Sequence, residues 1–171
     1  MFLTIAVLML PVLLITWFFT RTPDEPPIKE VDWETAVTRA KQADRFDVLT
    51  LAALPAGWRA TKAVWADLGE RLPSGDVSPG ATLELGFLSD DERYFAINQT
   101  LAPAAPYLTR VTREGTKRDQ VEIAGTTWDH YVSADGRTHA LVQRQGGLTR
   151  ALVSDAGRER LVDVAGMLKQ A

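Results

Sequence analysis

Thr82-Leu83-Glu84-Leu85-Gly86-Phe87-Leu88, followed past Asp90-Asp91 by Tyr94-Phe95-Ala96-Ile97-Asn98-Gln99-Thr100, decides the fold. Leu83, Leu85 and Phe87 alternate with Thr82, Glu84 and Gly86, the period of a strand with one buried face. The acidic pair breaks the run, and Tyr94 to Thr100 reads as the returning strand of a hairpin. Further along, Gln120 to Ala124, Thr127 to Ser133, Thr138 to Arg144 and Leu148 to Val153 are strand-like. Gly125, Asp135-Gly136 and Gly146-Gly147 separate them, where tight hairpins need positive φ.

Working outward, Asp32 is placed as the N-cap of a helix from Trp33 to about Ala43. Trp33, Ala36, Val37 and Ala40 form one apolar stripe there. Phe46 to Leu51 reads as a short strand, and Leu54-Pro55-Ala56-Gly57-Trp58 as a turn into a strand from Trp58 to Trp65. Pro106, Tyr107, Leu108 and Val111 mark a short helix ending at Gly115. Arg158 to Gln170 reads as a last helix with Leu161, Val164, Ala165 and Leu168 on one face. The expected fold class is α+β. Residues 31–171 would form one domain, an antiparallel sheet of six or seven strands packed with N- and C-terminal helices as an α/β/α-like sandwich.

Met1 to Thr20 holds no charged side chain. As a helix, Phe2 to Phe19 would reach about 27 Å against a hydrocarbon core of roughly 30 Å. Trp17, Phe18 and Phe19 stand where interfacial aromatic anchors stand. The expectation is a single-pass transmembrane anchor over 1–20, then a proline-rich stalk over 21–30. Bulky residues at Trp17 to Thr22 disfavour a cleavage site, and a lipoprotein would need a cysteine, of which the chain has none. Arg21 and Lys29 after the run favour a cytoplasmic body by the positive-inside rule, though by a small margin. The net charge of -3 and pI near 5.4 argue against nucleic-acid binding.

Few residues point to chemistry. Asp129-His130 with Ser133 invites a triad, but neighbours on a strand point to opposite faces, and no G-x-S-x-G elbow surrounds a serine. His139 could lie across a hairpin from His130, yet two histidines make a poor metal site, and no cofactor motif is present. An enzyme reading, an envelope hydrolase or ligand-processing activity, would rest on Asp129, His130 and His139. The favoured reading is a non-catalytic binding or assembly module. Trp58 and Trp65, seven positions apart, should face opposite sides unless a bulge intervenes, which would leave one exposed. Arg110, Arg113, Lys117 and Arg118 form a basic cluster suited to anionic headgroups or an acidic partner. The candidate partner-binding residues are therefore Trp58, Arg59, Trp65, Arg110 and Arg113.

Leu54-Pro55-Ala56-Gly57-Trp58-Arg59-Ala60-Thr61, followed by Trp65, resembles the actinobacterial membrane proteins grouped as domain of unknown function 4245. Thr127-Trp128 and Ser154-Asp155 add to the likeness, which covers most of the chain. The resemblance implies an extracytoplasmic domain tethered to the cell membrane, with an envelope protein as partner, and brings no activity with it. Members commonly have a basic segment before the apolar run, from which this chain departs. The element order is also similar to PsbP-like sandwiches, mostly non-catalytic modules, and that likeness rests on topology alone.

Overall fold

The computed structural model describes residues 30–171. Helix α1 (Trp33–Ala43) is followed by strands β1 (Leu49–Leu51), β2 (Arg59–Ala66), β3 (Thr82–Leu88) and β4 (Tyr94–Thr100). After these come helix α2 (Ala104–Val111) and strands β5 (Thr116–Ile123), β6 (Thr126–Val132), β7 (His139–Gln145) and β8 (Leu148–Ser154). Helix α3 (Arg158–Gly166) and strand β9 (Leu168–Gln170) end the chain. Seven strands form one antiparallel sheet in the order β2-β3-β4-β8-β7-β6-β5, and β1 pairs with β9 in a separate two-stranded ribbon.

Alternation makes this sheet two-faced. Leu83, Leu85 and Phe87 of β3, Phe95 and Ile97 of β4, Trp128 of β6, Leu141 of β7 and Leu152 of β8 share one face. Ala36, Val37 and Ala40 of α1 and Leu161, Val164 and Ala165 of α3 close over that face, forming the main core. Asp32 caps α1, its carboxylate accepting from the Thr35 N–H at 3.1 Å. On the other face a small cluster of Ala96, Ala140, Val142, Ala151 and Val153 meets Leu108 and Val111 of α2. The rest of that second face is left to polar side chains.

The α+β, α/β/α-like sandwich is thereby corrected. Strand residues outnumber helical ones about two to one, and the molecule is mostly β. Both long helices lie on one face of the sheet, while the other bears a single eight-residue helix. Among the described residues no helix is long and apolar enough to cross a membrane. The expected anchor over 1–20 and all but the last residue of the stalk lie outside the described residues.

Three local expectations also change. The last helix stops at Gly166, and Leu168–Gln170 turns back as β9 to pair with β1. Leu168 is therefore half-buried in a ribbon rather than on a helix face. The short helix ends at Val111, before Gly115. Trp58 and Trp65 face the same side, because the β2–β3 register shifts between Ala60 and Lys62. That bulge inverts the alternation, so Ala60 and Trp65 both enter the main core. Trp58 stacks on Phe95 with centroids 4.8 Å apart, and Trp65 packs on Phe46 at 6.0 Å. Gly57, at φ 80°, makes the turn before β2, where the Trp58 N–H donates to the Pro55 carbonyl at 3.1 Å.

Two side chains of the main sheet moor the β1–β9 ribbon: Arg150 of β8 donates to the Asp47 carbonyl just before β1 at 2.8 Å, and Gln99 makes the closer pairing. Gln99, fully buried on β4, donates from Nε2 to the Leu49 carbonyl at 2.7 Å and accepts the Leu49 N–H at 2.8 Å. Its amide thus takes the place of a neighbouring strand. Replacing it by an apolar isostere, Gln99→Leu, leaves two backbone groups unpaired at about 1–3 kcal/mol each. Urea unfolding should show a loss of about 2 kcal/mol or more; a loss below about 0.5 kcal/mol would mean that the ribbon is held by something else.

Candidate functional site

The polar face of the sheet is organised around Glu84. It sits mid-strand on β3, and its side chain is only 8% exposed. Lys62 of β2 donates to Glu84 Oε2 at 2.6 Å, and Arg110 of α2 donates to Oε1 at 2.6 Å. Burial pushes the Glu84 carboxyl up, but hydrogen bonds and charge from Lys62 and Arg110 outweigh it and hold the group below the ordinary glutamate range. Arg110 is itself partly desolvated and lies over the Tyr107 ring, 4.9 Å from its centroid.

A groove opens beside this clamp, with a cavity of about 380 Å³ bounded by Lys62, Glu84, Tyr94, Asn98, Arg110 and Arg113. Arg137, Thr138, Ser154 and Asp155 also line it. Gly86 shapes the floor, since a Cβ there would collide with the Tyr94 hydroxyl and approach Lys62 Cβ within 2.9 Å. Asn98 pairs across the ladder with Glu84 and is 7% exposed, yet its amide makes no side-chain hydrogen bond among the described residues. Arg113 stands at φ 54°, followed by Glu114 at φ 56°. Glycine would be the unstrained choice at such positions, where other residues lose about 1–2 kcal/mol. A side chain is thus held at the groove wall against a local cost.

The sequence-derived residues separate accordingly. Arg110 and Arg113 line the groove. Trp58 and Trp65 pack with the core, and Arg59 is half-buried at the start of β2 opposite Leu88. The basic cluster is divided: Lys117 is paired with Asp129 at 2.7 Å, and Arg118 sits at a register shift on the edge strand β5. Arg137 and Asn98 join Arg113 in the groove, which no spacing in the sequence signals.

Asp129 does not serve His130. It faces Lys117 and Gln120, which hold its carboxyl low against the opposing effect of burial. The carboxylate that does meet His130 is Asp119, from β5, with Oδ1 2.7 Å from Nδ1. His130 Nε2 lies 3.0 Å from His139 Nδ1, the two rings near-parallel, and Asp119 also takes Arg158 at 3.3 Å. A register shift between Lys117 and Asp119 brings Asp119 opposite His130. Both nitrogens of His130 are occupied, and Ser133 Oγ donates to Asp135 instead. Among the described residues no set of three or more acidic, histidine or cysteine side chains is placed to hold a metal.

His139 titrates below the ordinary histidine range because of burial first, then the proximity of His130 and Arg158. A lowered folded value means that the unfolded chain binds more protons, so acidification through about pH 6.5 reduces stability. The drop in melting temperature between pH 7 and pH 5 should therefore be smaller in His139→Asn than in the parent. Equal drops in the two proteins would exclude His139 as a source of acid sensitivity.

Comparison with known proteins adds a family and nothing about chemistry. No curated protein matches the chain. The family model described as "Protein of unknown function (DUF4245)" matches residues 1–168, almost the whole length. The chain belongs to the DUF4245 family.

Proposed function

We propose that this protein is a non-catalytic binding or assembly module of the cell envelope, held at the membrane by its apolar leader and presenting the groove beside α2. The observation that carries the reading is the groove itself. Lys62, Arg110, Arg113 and Arg137 line it against two carboxylates, Glu84 and Asp155, and its floor offers the Asn98 amide with no partner among the described residues. Such a surface attracts an anionic partner and offers it directed hydrogen bonds. The enzyme alternative has less support, since Asp129 faces Lys117 and Gln120 rather than the histidine pair, and His130 is saturated by Asp119 and His139.

The uncharged Met1 to Thr20 run and its aromatic border support attachment to a membrane. Placement of the body outside the cytoplasm rests on the family resemblance.

A photo-crosslinking amino acid at Arg113, in the full chain in native membranes, tests the module. A discrete crosslinked species is expected from position 113 and not from Leu68, an exposed residue that does not line the groove. Equal yields from both positions, or none from 113, would contradict the assignment.

A further inference from the structure

A second cavity adjoins the cationic groove and shares two residues with it. This compartment, about 430 Å³, is lined mainly by Leu72, Val77, Pro79, Pro103, Pro106 and Tyr107, with Glu84 and Arg110 shared with the groove and Ser74, Asp76, Ser78 and Thr82 as further polar lining. Both cavities fall within the roughly 300–1,000 Å³ typical of small-molecule sites. The apolar compartment borders the start of α2, through the N-cap Pro103 and through Pro106 and Tyr107. The cationic one borders its end, through Arg110, Val111 and, just past the helix, Arg113. Arg110 belongs to both. One of its nitrogens bonds Glu84, and the guanidinium, 57% exposed, keeps donors for another anion.

Three features of the two compartments bear on what they could hold. Val77 is 57% exposed and, with Leu72, Pro79 and Pro103, gives the compartment an apolar wall. The Tyr107 hydroxyl is buried beside the Arg110 guanidinium without a well-aligned hydrogen bond among the described residues, and burial together with Glu84 pushes its ionisation well up. Arg113 and Arg137 make no salt bridge among the described residues; Asp135 senses both at longer range while bonded to Ser133 and to the Arg137 N–H.

We propose that the two compartments together take a free single-chain amphiphile with an anionic head, a fatty-acid-like carboxylate. Its head lies against Arg110, Arg113 and Arg137, and its alkyl tail lies along Val77, Pro103, Pro106 and Tyr107. The proposal rests on the binding-module reading and names its ligand. An apolar tail removes Val77 from water, and the head supplies the counter-charge that Arg113 and Arg137 lack. Glu84 keeps Arg110 in place and would repel a head group that approached without the two outer arginines.

The probe is a diazirine-bearing dodecanoate, photolysed with the full chain in phosphatidylcholine nanodiscs and mapped by mass spectrometry. Label is expected within residues 72–79 and 103–107. An excess of plain dodecanoate should lower it at least fivefold, and the same excess of dodecyl maltoside should not. Val77→Trp, which fills the compartment, and Arg113→Glu, which reverses the head site, should each lower it about fivefold. Unchanged melting temperatures will show that both variants fold. Label that survives Val77→Trp, that is displaced equally by maltoside, or that vanishes when the discs contain phosphatidylglycerol would overturn the proposal. Absent dodecanoate label with an intact crosslinked partner at position 113 would overturn it while leaving the module reading in place.

Discussion

A sheet with both long helices on one face must solve a problem on the other. Here the solution is Glu84, a carboxylate buried in mid-sheet and bonded at 2.6 Å by a cation from either side. Without Lys62 and Arg110, the charge would be costly to bury; with them it ties α2 to the sheet at the one place where apolar packing is thin. Leu108 and Val111 bring α2 onto the alanine-rich patch, and Arg110, between them, fixes its position along β3. The cavities on that flank of α2 exist because the helix is held there and not pressed flat. Arg113, just past the end of α2, owes its placement to this arrangement.

Much of the fold was legible because burial imposes period two on a strand and 3.6 on a helix. The β3–β4 hairpin, the β5–β8 meander and the cap at Asp32 follow from that. Glycines at 125, 136, 146 and 147 adopt the positive φ angles that their turns require. What could not be read are the points where the period is interrupted. A one-residue bulge near Thr61 put Trp65 on the same face as Trp58, and another beside Arg118 supplied Asp119, not Asp129, to His130. Nothing in composition marks where a bulge falls.

The end of the chain misled for a different reason. Leu161, Val164, Ala165 and Leu168 keep helical spacing, but Leu168–Gln170 finds a better partner in β1. That partnership depends on Gln99, fifty positions from Leu49, and long-range hydrogen bonding overrides local periodicity. The candidate site was legible only in part. Arg110 and Arg113 stood out as charges, whereas Lys62, Glu84, Asn98 and Arg137 come from separate strands and turns that only the folded sheet assembles.

Everything on the open face depends on Glu84 remaining ionised while buried. A depressed folded value makes its contribution complete above the unfolded pKa of about 4.3, and that contribution is lost as pH falls through the folded value. The direct measurement is a carbon-13 NMR titration of the Glu84 carboxyl in labelled full-chain protein. A midpoint below the ordinary glutamate range, moving upward in Arg110→Gln, is the expected result. A midpoint at or above about 4.3 in the parent would mean that burial outweighs the two cations, and would contradict the clamp on which the groove is built.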